Sequence, residues 1–126
     1  MTKKTVIMKM IVFSAFTILL FAFTAEIKLT GRWESVSSTG AVTGVVFKDD
    51  GTFNGDVNKK PFVYGTFRFN EKDSMFSFVD NGCQGMQGTY KINFFSNSDS
   101  MRLIAMSDSC VERKAGMQRL VLGRVK

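Results

Sequence analysis

The sequence predicts an all-β domain in which eight short antiparallel strands run up and down and close into a small barrel. Three observations carry this prediction. From Leu29 onward, short apolar and β-branched stretches alternate with glycine, asparagine and aspartate clusters, the signature of many antiparallel strands. The links between those stretches are of hairpin length, which suits a meander. The triplet Gly-Thr-aromatic recurs at Gly51-Thr52-Phe53, Gly65-Thr66-Phe67 and Gly88-Thr89-Tyr90, at unequal intervals that exclude a solenoid repeat. Glycines within strands mark bends or bulges, and a curling sheet needs them.

Residues 1–25 stand apart from this domain. Lys3, Lys4 and Lys9 form a basic start, and Met10 to Phe23 is an uncharged apolar run of 14 residues. A comfortable membrane span needs about 20. The segment therefore reads as a secretory signal peptide, with residues 26–126 as the exported domain, periplasmic or secreted. An uncleaved membrane anchor is the alternative, because the small residues expected before a cleavage site are imperfectly placed at Phe23, Thr24 and Ala25. The leader carries three of the 17 basic residues and none of the 11 acidic ones, so the remaining chain has a net charge of +3. Outside the leader Lys59-Lys60 is an adjacent basic pair, placed in a loop beside Pro61. A nucleic-acid surface would need a basic stripe with interleaved aromatics, and none is visible.

The strands follow in order: Gly31–Ser37, Thr43–Lys48, Thr52–Val57, Phe62–Asn70, Ser74–Asp80, Gly85–Phe95, Ser100–Ser107 and Met117–Val125. Asp50-Gly51 is a two-residue hairpin signal, since both residues tolerate positive φ. Residues 70–73 and 96–99 are polar loops of hairpin length. One short helix interrupts the meander before the last strand. Ser109 and Glu112 have capping-box spacing, and Gly116 stands where one or two helical turns would stop.

Cys83 and Cys110 are the only cysteines. In an exported small domain an even pair reads as a structural disulfide. Closing a loop of about 27 residues would stabilise the fold by roughly 3.5 kcal/mol in the chain-entropy model. The chain has no histidine, which removes the usual general base and the commonest metal ligand. Asp49, Asp50 and Asp56 flank a hairpin without the spacing of a calcium loop. Asp108, Ser109 and Glu112 are explained by helix capping. We expect no catalysis, no metal and no cofactor.

Period-two spacing puts Phe67 and Phe69 on one strand face, Phe76 and Phe78 on the next, and Tyr90, Ile92 and Phe94 on the one after. If these faces turn inward, the barrel either holds a small apolar ligand among these seven side chains or is filled by its own rings. Nine phenylalanines remain beyond the leader, which favours a small cavity.

Thr30-Gly31-Arg32-Trp33 resembles the Gly-x-Trp signature that opens lipocalins. The resemblance implies that Trp33 closes one end of an eight-stranded barrel beneath a basic residue from the last strand. Arg124, alternating with Leu120 and Leu122, is the first candidate for that residue and Arg113 the second. The mature chain also resembles short lipocalin-like proteins exported by bacteria, including an Asp-x-Cys-x-x-Arg turn at Asp108, Cys110 and Arg113. It lacks the second lipocalin block, a Thr-Asp-Tyr-type motif on a late strand. The expected function is binding of a small hydrophobic ligand in or at the mouth of the barrel. The competing expectation is a non-enzymatic protein-interaction or inhibitor module of the cell envelope with a filled core.

Overall fold

The computed structural model describes residues 28–126, so the leader expected over residues 1–25 lies outside it. Its eight strands are β1 (Gly31–Val36), β2 (Val42–Phe47), β3 (Thr52–Val57), β4 (Lys60–Asn70), β5 (Met75–Asp80), β6 (Gly88–Phe95), β7 (Ser100–Ser107) and β8 (Val121–Arg124). Each pairs antiparallel with its sequence neighbour, and β8 pairs back to β1, closing the barrel. A helix α1 (Val111–Arg119) precedes β8, and a tight turn at Cys83–Gly85 links β5 to β6.

Alternation along the strands sorts the side chains into an inside and an outside. Trp33 faces Val45, Phe47 faces Phe53, Phe67 faces Phe78, Phe69 faces Phe76, and Ile92 faces Leu103 across neighbouring strands. These residues form or pack against one core, whereas Phe62, Tyr64 and Ile104 on alternate positions are exposed. Such cross-strand contacts are the unit that stabilises a sheet.

At one end of the barrel Trp33 is fully buried, and its indole N–H donates to the Leu29 carbonyl at 2.8 Å. Phe94 packs against it at 6.3 Å between ring centroids, and Phe69 packs against Phe94 at 6.1 Å. The Arg124 guanidinium lies 4.3 Å from the centre of the Trp33 ring system. Its Nη2 donates to the Lys28 carbonyl at 2.7 Å, binding the entering chain to the leaving one. Arg124 is thus the residue over Trp33. Arg113 sits over Phe78 instead, 4.8 Å from its ring.

β8 is much shorter than the expected Met117–Val125. It pairs with β7 only from Ser100 to Arg102 and with β1 only at Trp33 and Glu34. Helix α1 takes residues 117–119 and stands beside β7 where the strand is missing. Arg113 and Met117 within it, four residues apart, and Leu120 just after it turn toward the core. That face outweighs the breaker role expected of Gly116, which lies inside the helix. The Ser109–Glu112 capping box is also absent, because Cys110 is the N-cap and no side chain caps it.

The glycines and turns correct further expectations. Gly51 lies in the β2–β3 turn, not within a strand, at φ +83°. Its N–H donates to Lys48, and Lys48 donates to Thr52, so this loop has three residues, not the two expected at Asp50-Gly51. The two-residue turn is instead Asn58-Lys59, both at positive φ, and Lys60 and Pro61 already belong to β4. Gly65 is required by close approach, since a Cβ there would collide with the Val79 carbonyl oxygen.

Trp33→Ala should destabilise the fold by about 3–5 kcal/mol. Arg124→Ala should cost less, and the double mutant should show coupling above about 0.5 kcal/mol in denaturant melts. Additive losses would mean that the two side chains do not support each other.

Candidate functional site

The two ends of the barrel interior are filled differently. Around Trp33 the rings pack on one another. Toward α1 the lumen opens into a cavity of about 590 Å3. Val45, Phe47, Met101 and Leu122 line its deeper part, with Leu103 and Ile92 above them. At the rim it meets Val57 and Phe62 from the β3–β4 hairpin, and Met117 and Leu120 from α1. A volume of ~300–1,000 Å3 with mostly apolar walls is the usual form of a small-molecule site.

All seven residues expected in the binding interior face inward, but they divide into two groups. Phe76, Phe78 and Ile92 line the cavity. Phe67 wedges between Phe47 and Phe76 at 5.0 and 5.9 Å, while Phe69 and Phe94 belong to the layer under Trp33. Tyr90 is fully buried, and its hydroxyl turns to Asp108. Walls from β2, β3, β7, β8 and α1 complete the site. The β2, β3 and β7 walls were not singled out from the sequence, and which layer of the barrel each residue joins depends on register.

A buried polar cluster holds α1 at this end. The Arg113 guanidinium grips the Asp108 carboxylate with two hydrogen bonds, Nε to Oδ2 at 3.0 Å and Nη2 to Oδ1 at 2.9 Å. Nη2 also donates to the Met86 carbonyl at 2.9 Å, and Nη1 reaches Asp80 at 3.4 Å. The Arg113 side chain is 7% exposed and that of Asp108 0%. Asp108 also accepts from the Cys110 N–H, which sets the first turn of the helix. Gly88 makes room: a Cβ there would press on Asp108 Oδ2 at 3.0 Å and Arg113 Nη2 at 3.1 Å. The Asp-x-Cys-x-x-Arg turn is therefore an ion-paired anchor, a role that capping alone did not reveal.

Burial by itself would raise the Asp108 pKa. Hydrogen bonds from Arg113, Tyr90 and the Cys110 amide outweigh burial and hold it below the usual carboxylate value. Burial, and then the bond to Asp108, push the Tyr90 phenol above its usual value, so it stays a neutral donor.

Cys83 and Cys110 form a disulfide, with Cα atoms 5.9 Å apart. The bridge ties the β5–β6 turn to the start of α1, and both cysteines line the cavity rim. A disulfide is consistent with an oxidising compartment. Among the described residues, no three Asp, Glu or Cys side chains are grouped to hold a metal ion.

No protein-family model, no curated protein and no solved structure matches this chain.

Asp108→Asn should destabilise the protein by about 3 kcal/mol near neutral pH, because it strips a buried guanidinium of its nearer countercharge and leaves only Asp80, at 3.4 Å. Since folding lowers the Asp108 pKa, its contribution is present above the unfolded value of about 3.9 and is lost as pH falls through the folded value. Urea melts from about pH 7 to about pH 3 should show the gap between parent and variant narrowing at the acid end. A gap that does not change with pH would place the effect elsewhere.

Proposed function

We propose that this protein is an exported lipocalin-like barrel that works by binding, not catalysis, and takes a small hydrophobic molecule into the cavity beside α1. The observation that carries this reading is the cavity itself: about 590 Å3, walled mainly by aromatic and aliphatic side chains at the α1 end of the barrel, with neither Trp33 nor Arg124 in its lining. The Trp33–Arg124 plug supports the family resemblance, because it joins the Gly-x-Trp segment to the last strand as that resemblance implies. The disulfide and the apolar leader support export to the periplasm or beyond. The competing reading, an interaction or inhibitor module of the cell envelope, requires a filled interior, and the cavity weighs against it.

Titration with N-phenyl-naphthylamine, a neutral dye that brightens in apolar surroundings, tests the proposal. Saturable binding of one dye per chain with a micromolar Kd is expected. Leu103→Trp, which fills the cavity from β7, and Met117→Trp, which fills it from the rim, should each weaken binding at least about tenfold. Dye binding that is absent in the parent protein, or unchanged in both folded variants, would overturn it.

A further inference from the structure

We infer that the cavity selects amphiphiles with an amine head and discriminates against carboxylates, although the chain as a whole is basic. This rests on the cavity being the binding site. The charged residues along its lining are Asp56, Asp80, Glu112 and Arg113, with no lysine among them. Arg113 is the only cation there, and its guanidinium is already committed. Asp108 takes two of its N–H groups, and the Met86 carbonyl and Asp80 take others. A ligand carboxylate would have to break a buried two-point ion pair to reach it. An incoming head group therefore meets carboxylate charge at the lining and no free cationic side chain there.

The balance of charge points the same way. Asp56 is answered by Arg32, whose Nη1 and Nη2 lie 2.8 and 3.0 Å from its two oxygens. Arg113 is shared between two carboxylates, Asp108 and Asp80, so that cluster carries one negative charge in excess. Glu112, at the start of α1, adds a second with no cationic partner among the described residues. The +3 charge of residues 26–126 would favour anions at long range. At a Debye length of ~10 Å, however, charges far from the rim are screened; Lys59 on the β3–β4 hairpin faces Asp56, while a head group at the α1 side of the rim meets Asp80 and Glu112. Local charge wins over net charge.

The test compares dodecylamine, dodecanol and dodecanoate, which share one tail, below their micelle concentrations at neutral pH and low salt. Binding is read by displacement of the naphthylamine dye and by calorimetry. Dodecylamine should bind at least about tenfold tighter than dodecanoate, with dodecanol between. The ratio should shrink in Glu112→Gln, an exposed substitution that leaves the Arg113 cluster intact, and again at high salt. Dodecanoate binding as tightly as the amine, or a ratio that neither Glu112→Gln nor salt alters, overturns the charge selection while leaving the cavity as a site. Failure of all three to bind overturns the cavity reading itself.

Discussion

The barrel depends on how its first and last strands are joined. β1 and β8 pair at only two positions, Trp33 with Arg124 and Glu34 with Gly123, so backbone hydrogen bonds hold little of this seam. The side chains of the first pair supply the rest. Trp33 fills the end of the lumen, and Arg124 covers it while its guanidinium binds the Lys28 carbonyl. A guanidinium over an indole adds an electrostatic attraction to apolar contact, and both grow as water is excluded. Once this end is sealed, the antiparallel order of the other strands fixes which residues face inward.

The opposite end solves a different problem. With β8 covering only the lower part of β7, the wall beside the upper part is made by α1. A helix has no hydrogen bonds to offer a strand edge, so side chains must anchor it. The Asp108–Arg113 pair, the Tyr90 hydroxyl and the disulfide together hold its first turn over the lumen. Met117 and Leu120 enter the core from its inner face without filling the space. The cavity is the consequence: large rings crowd the Trp33 end, and the helix bridges the other instead of packing it solid.

Much of this was legible in the sequence because it follows from local pattern. Thr52–Val57 and Ser100–Ser107 have the strand limits their alternation implies, and Cys83 and Cys110 had no other partner. The length of α1 was not legible, since residues 117–119 read equally well as the start of a strand. Their helical state follows from the anchor at Asp108 and Arg113, which joins parts of the chain that only the closed barrel brings together. Of the three consecutive positive-φ residues at Cys83–Gly85 only the last is a glycine, and the run at Ser96–Ser98 has none to announce it. Among the inward rings, alternation gave the face but not the depth. Phe76 and Phe78 line the cavity, while Phe69 and Phe94 are half-buried in the layer packed on Trp33.

We propose that the Trp33 end of the lumen stays sealed while the α1 end receives a ligand. Methyl-resolved NMR during titration with dodecanol measures both ends at once. The account expects shifts at the methyl groups of Ile92, Met101, Leu103, Met117 and Leu122, with the Leu29 methyls and the Trp33 indole N–H unmoved. Shifts confined to the exposed methyls of Ile104, Met106 and Val111, or centred on Leu29 and Trp33, would contradict it.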